Sequence, residues 1–254
     1  MTSPAALLLA LMIASSQLKA PAAIPTDHGS VVTSTTKGEM RWTANWTMEP
    51  WTVNGKKAVR FTEKGNGRYS PFAQEVHWML ESIWLADGSF YPLQFEKTVL
   101  DAKGQTLAVE KKNFDSVAGK VKFEHRNEKG ETDSSTFSAA PDILTIEGIA
   151  GVLQFFPFAK SGASAALHGH MLSNEPNLYD VTIESRGTER LKTSSGDVDC
   201  YKLEMVPHLG LLNLVKVFYP KTYFWFRVAE PHAWVRYQGL ENGPGTPEII
   251  MEAR

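Results

Sequence analysis

From Met40 to Met48 the chain reads M-R-W-T-A-N-W-T-M, so Met40, Trp42, Ala44, Trp46 and Met48 alternate with charged or polar side chains. Successive side chains of an extended backbone point to opposite faces, so this alternation describes a strand with one buried and one wet face. The same period-2 pattern returns along most of the chain. It predicts a mainly β protein built on a single strongly curved antiparallel sheet.

Turn chemistry divides the strands. Asn54-Gly55 reads as a type I′ hairpin turn joining the first strand to Ala58-Val59-Arg60-Phe61. A polar loop is expected over Glu63 to Pro71, with Gly65 and Gly67. Val76 to Trp84 follows as a strand whose Val76, Trp78, Leu80 and Trp84 share a face. Leu93 to Leu100 is a strand with Phe95 and Val99 inward, and Thr106 to Phe114, Lys120 to Arg126 and Thr132 to Phe137 continue the meander. Turn signals every ~8–12 residues are the pattern of a sandwich or barrel.

From Pro141 the pattern changes. Ile143, Ile146, Ile149, Ala150 and Leu153 fall at helical spacing, which predicts a helix near 142–154 with Asp142 as its N-cap. Phe155, Phe156 and Phe158 extend it into an aromatic turn containing Pro157. Such a helix either fills the sheet as a core plug or lines an apolar cavity. Ser161 to Ser173 reads as a polar loop. Strands resume at Leu178 to Ser185, Thr188 to Thr193 and Asp199 to Val206, with Arg186-Gly187 as a turn between the first two. A second apolar stretch covers Leu209 to Tyr219, and Tyr223 to Val228, Trp234 to Gln238 and Glu248 to Met251 close the sheet.

The chain has 254 residues, a size that suits one large β domain. Its net charge of −2 and pI of about 6.4 lack the basic footprint of a nucleic-acid binder. Ala5 to Ala14 form an apolar run of signal-peptide length, too short to span a bilayer, and Ala20-Pro21-Ala22 fits a small-x-small cleavage pattern. This predicts a signal peptide over 1–22 and a single domain over 23–254. Met1-Thr2-Ser3-Pro4 carries no basic residue, so an N-terminal tail on a cytosolic protein is the alternative. No later segment has the length of a transmembrane helix. Cys200 is the only cysteine, so neither an intrachain disulfide nor a lipid anchor at residue 22 is expected. The expected location is periplasmic or secreted, free or resting on a membrane.

Three stretches carry a family resemblance: W-L-A-D-G-S-F-Y-P-L-Q-F-E-K (Trp84 to Lys97), K-K-N-F-D (Lys111 to Asp115) and R-G-T-E-R-L-K-T-S-S-G-D-V-D-C-Y-K-L (Arg186 to Leu203). With Y-F-W-F and a closing W-V-R-Y near Arg236, they resemble the exported bacterial family called domain of unknown function 3108, over roughly Val31 to Glu252. The resemblance implies an open barrel around helical or loop plugs, similar to the fold of periplasmic lipoprotein carriers. It implies no reaction and no catalytic residues. The stretch from Pro157 to Pro176 is a larger insert than in many members.

Catalytic motifs are scarce. His168-Gly169-His170 could supply two metal ligands, but no third lies adjacent, and a solvated loop is the plainer reading. G-x-S-x-G, G-x-G-x-x-G after a strand and the Walker phosphate loop are all absent. Glu75 and Glu81 flank an aromatic strand and could serve a glycosidase if Trp78 or Trp84 stacked on a sugar. No cofactor or metal is called for.

Seven Trp and thirteen Phe concentrate in strands and in the two apolar stretches. They line a cavity or fill a thick core, and aromatic content cannot separate the two. The leading expectation is a non-enzymatic envelope protein that binds a lipid or other hydrophobic molecule inside the barrel. Its lining is expected from Trp42, Trp46, Trp78, Trp84, Phe95, Phe155, Phe156, Leu211 and Trp225. The alternatives are a filled barrel that binds an envelope protein partner, through Phe155-Phe156-Pro157-Phe158, and a carbohydrate-active enzyme.

Overall fold

The alternation at Met40 belongs to a sheet of 15 strands, seen in a computed structural model that describes residues 18–158, 166–172, 177–208 and 220–254. In chain order the elements are β1 (Asp27–Thr35), β2 (Met40–Val53), β3 (Lys56–Arg68), β4 (Glu75–Asp87), β5 (Ser89–Leu100), β6 (Thr106–Asp115), β7 (Lys120–Arg126), β8 (Thr132–Ser138), β9 (Ile143–Thr145), α1 (Ile149–Leu153), β10 (Ala166–Leu172), β11 (Leu178–Thr193), β12 (Gly196–His208), β13 (Thr222–Arg227), β14 (Trp234–Leu240) and β15 (Glu248–Ala253). The spatial order runs β8 back to β1, crosses to β15 and runs back to β9. Two meanders are thus joined where the first strand pairs antiparallel with the last. Among the described residues every pairing is antiparallel except the short parallel one of β9 with β10.

No hydrogen-bonded ladder joins β8 to β9 among the described residues, so the barrel stays open. Side chains draw its two ends together instead. Ile143 of β9 and Leu172 of β10 are buried in one cluster with Tyr91 of β5, Phe114 of β6 and Val121 of β7. Beside that seam the Lys112 ammonium lies 2.8 Å from Glu147.

Local chemistry explains most of the strand plan. Asn54 and Gly55 both take positive φ, at 51° and 76°, as a type I′ turn requires. At the start of β2, pairing with β1 slips between Thr33 and Ser34, leaving Arg41 as the extra residue of a bulge. The alternation breaks there, so Met40 is exposed whereas Trp42, Ala44 and Met48 are buried.

Four sequence expectations are corrected. The loop over Glu63 to Pro71 begins only after Arg68, because β3 continues through Gly65 and Gly67. The glycine at 65 answers to packing: a Cβ there would lie 2.0 Å from the Trp78 ring, which rests directly on the β3 backbone. The helix over 142–154 is a strand followed by a five-residue helix. Ile143, Leu144 and Thr145 are wholly buried against β10 as β9, and Asp142 bonds His170 rather than capping. Gly148, at φ 77°, is the N-cap of α1 instead. The loop containing His168-Gly169-His170 is strand β10, whose Gly169 is fixed by the Asp142 carbonyl 2.8 Å from where a Cβ would stand. Lastly, Arg186-Gly187 is a bulge within one long β11, not a turn between two strands.

The main core lies inside the curl. Ile149, Val152, Leu153 and Phe156 from α1 and its C-terminal turn pack with Met48, Trp84, Phe90, Leu203 and Phe226. Leu18 and Ile24 from the segment before β1 belong to the same cluster. A second inner cluster, built on Val31, Trp42, Val76, Trp78 and Ile249, lies further along the strands.

Candidate functional site

Between the two inner clusters the sheet surrounds a cavity of about 1950 Å³ that is partly open to solvent. Protein interiors are packed nearly as densely as organic crystals, so a space of this size is not a packing defect. The start of α1 and the turn before it, from Ile146 to Gly151, together with Gln154, form its floor. Its walls are the inward faces of both meanders, with Val31, Phe61, Leu80, Val99, Val181, Phe224, Trp234, Tyr237 and Met251 among the apolar contributors.

Strand register shows how the wall is composed. Side chains directly opposite one another on paired strands share a face. Following the pairs from β2 to β8 gives one row: Trp46, Glu63, Leu80, Lys97, Glu110, His125 and Asp133. All seven line the cavity. The adjacent row reads Met48, Phe61, Ser82, Phe95, Lys112, Phe123 and Ser135. An aromatic wall is therefore crossed by a band of charge.

Part of the band is ion-paired. Lys112, with no exposed side-chain surface, lies 2.9 Å from Glu110 and 2.8 Å from Glu147, with the Phe95 ring 4.7 Å away. Burial alone would lower the Lys112 ammonium, but Glu147 and Glu110 hold it above the usual lysine range. Lys97 points its ammonium at the Tyr69 ring, 3.7 Å from the centroid, and lies 5.7 Å from that of Trp78. There too burial works downward, and Tyr69, Glu63 and Glu110 outweigh it. Trp78 donates its indole N–H to Glu63 at 2.7 Å. Burial pushes the Glu63 carboxyl above its usual range, against the pull of that N–H and of Lys97.

Elsewhere on the lining, Glu241 accepts from Arg41 at 2.7 Å, from the Trp42 indole at 3.0 Å and from the Ser70 backbone at 2.9 Å. Burial alone would raise this carboxyl, yet the bonds from Arg41 and Ser70 hold it below the usual range. The bulge at Arg41 is what lets consecutive residues Arg41 and Trp42 reach the same carboxylate.

The structure divides the nine expected lining residues. Trp42, Trp46 and Trp78 line the cavity together. Trp84 and Phe95 face inward but are buried in the wall, with Trp84 bonded to Ser82 at 2.9 Å. Phe155 stacks on Phe90 and Phe156 sits in the main core, both outside the cavity lining. Trp225 faces the opposite way. Its neighbours Phe224 and Phe226 take the inner face, so period-2 geometry sends Trp225 to a small outer cluster with Leu191, Cys200 and Val235. Burial in that cluster pushes the Cys200 thiol up to about 11. Leu211 lies outside the described residues.

Glu75 and Glu81 lie on the outward face of β4, alternating with inward Trp78 and Trp84, and Glu81 approaches Arg60 at 3.8 Å. Those acids and tryptophans do not share a cleft. His170 lies 2.7 Å from Asp142 and 3.1 Å from Asp180, while His168 meets Thr182 at 3.1 Å.

Sequence reasoning missed Glu63, Tyr69, Lys97, Glu110, Lys112, Glu147 and Glu241. For Lys97 the signal was present: it sits between Phe95 and Val99, both expected inward, so it must share their face. Glu63 was hidden because its strand reads as a loop.

No curated protein sequence matches the chain. Among solved structures, a Bacteroides fragilis protein of YmcC-like fold, provisionally described as exported, is 9% identical with a TM-score of 0.34, covering 93% of this chain and 97% of that one. A Parabacteroides distasonis protein provisionally described as a lipoprotein is 11% identical with a TM-score of 0.32, at 93% and 97% coverage. The family model described as protein of unknown function (DUF3108) matches residues 31–246, most of the chain, and the protein belongs to that family.

Proposed function

We propose that this is an exported, non-enzymatic envelope protein that holds an amphipathic molecule, such as a lipid, inside the open barrel. The observation that carries the reading is the cavity of about 1950 Å³, walled largely by aromatic and aliphatic side chains. Ligand pockets commonly span ~300–1,000 Å³ and combine an apolar lining with a few placed polar groups. Trp42, Trp46, Phe61, Ile146, Ile149 and Phe224 offer the apolar surface for a hydrocarbon body. The band from Glu63 to Asp133 offers a polar end. Apolar burial at ~25 cal/mol per Å² drives association, and the band sets orientation.

Export is supported by the apolar run at Ala5 to Ala14 followed by small residues. The test is uptake of a fluorescent fatty acid by delipidated protein. Saturable binding is expected, and Ala108→Trp, which projects an indole into the cavity from the wall, should weaken it about tenfold or more. A probe that does not bind, or binds the filled variant equally well, removes the reading.

A further inference from the structure

The segment that precedes β1 is built into the domain. Leu18 is 3% exposed and Ile24 6% exposed, both in the main core beside Trp84 and Phe90. Lys19 forms a bridge with Ser89, the Phe90 amide donates to the Leu18 carbonyl at 2.9 Å, and the Ala20 amide donates to the Gly88 carbonyl at 3.2 Å. The Lys57 ammonium donates to the carbonyls of Pro21 and Ala22, at 2.7 and 3.0 Å. Residues 18–24 therefore act as an added strap across the β4–β5 turn, pinned at both ends by apolar side chains.

Cleavage after Ala22 would tear this strap in half. The Leu18 side chain would leave a closed core, the Gly88 carbonyl and Phe90 amide would lose their partners, and the Lys57 ammonium would lose both of its acceptors. Phe90 is 4% exposed, and native structures seldom leave a buried backbone amide such as its own unpaired. A second small-x-small site lies upstream. Ala14-Ser15-Ser16 places small residues at the first and third positions, directly abuts the apolar run, and is followed by Gln17.

We infer that the leader is removed between Ser16 and Gln17, so that the exported protein begins at Gln17 and keeps the Leu18 to Ile24 strap. In the step, a leader peptidase of the export machinery hydrolyses the Ser16–Gln17 peptide bond. Water supplies the hydroxyl to the new Ser16 carboxyl and a proton to the new Gln17 amine. The inference rests on the export reading and is independent of what the cavity holds.

The test expresses the full chain with its own leader in a Gram-negative host and measures the intact mass of the exported product. A mass that begins at Gln17 is expected, or the same less one ammonia if Gln17 cyclises to pyroglutamate. Ala22 is exposed, so Ala22→Leu should leave that mass changed only by the substitution itself, whereas Ser16→Leu should abolish the Gln17 product. A product beginning at Ala23, or at any other residue after processing, overturns the inference. A chain that keeps Met1 and stays in the cytosol overturns the export reading and the inference with it.

Discussion

The same four side-chain types meet twice in this protein, once on each face of the sheet. Inside, Trp78 donates to Glu63 while Lys97 lies over Tyr69 and near Trp78. Outside, Trp225 donates to Glu189 while Lys202 lies 4.2 Å from the centroid of Tyr223 and 5.1 Å from that of Trp225. The outer set is closed on itself: Lys202 and Glu189 form an ion pair at 3.5 Å and roof a small cluster around Cys200. The inner set borders about 1950 Å³ of open space, and there the Lys97 ammonium faces a ring. Identical chemistry thus serves as a roof on one face and as the wall of a cavity on the other.

Paired tryptophan variants give the largest separation. Trp78 and Trp225 are 2% and 4% exposed, so Trp78→Ala and Trp225→Ala should each cost about 3–5 kcal/mol in urea unfolding. Only the change at 78 should also weaken acyl-probe uptake; equal loss of uptake in both variants would erase the distinction between the faces.

The lysines come next. Lys112→Met strands two carboxylates in the wall and should cost about 3–5 kcal/mol, the penalty for breaking a buried ion pair. Lys202→Met breaks a pair whose Glu189 is 40% exposed and should cost under about 1 kcal/mol. Chemical denaturation of the two variants side by side ranks them, and similar costs would mean that the inner band is as well solvated as the outer surface.

The smallest effects concern pH, and two acids of the cavity wall should slope in opposite directions. Glu63 titrates above its usual range in the fold, so its contribution to stability is full below the ordinary carboxylate value and is lost as pH rises through the raised one. Glu63→Gln should therefore gain on the parent as pH rises from about 4.5. Glu241 titrates below its usual range, so its stabilisation is present above the ordinary value and lost as pH falls through the lowered one. The deficit of Glu241→Gln against the parent should accordingly shrink in acid. Thermal melts from pH 3 to 8, on the order of the window set by ordinary carboxylates, read both slopes.

Much of the barrel was legible because period-2 alternation and turn residues are local signals. The Asn54-Gly55 hairpin and the inward faces of Trp42, Trp78 and Phe95 follow from them. What failed was set by distant partners. Gly65 looks like loop material until Trp78 is seen lying on it, and Ile143 to Thr145 look helical until β10 offers them an edge. The phase of Tyr223 to Arg227 carries two aromatic faces, so sequence cannot say whether Trp225 or its neighbours turn inward. The band of charge was missed because lysine and glutamate are expected on wet surfaces, and only a wall facing a cavity makes their inward placement sensible.

Native mass spectrometry of the protein purified without detergent from its own host tests the cavity reading most directly. The expected spectrum shows a bound species of lipid-like mass that leaves on organic extraction and is missing from Ala108→Trp. A spectrum of bare protein, together with failure of the delipidated chain to take up any acyl probe, would contradict it.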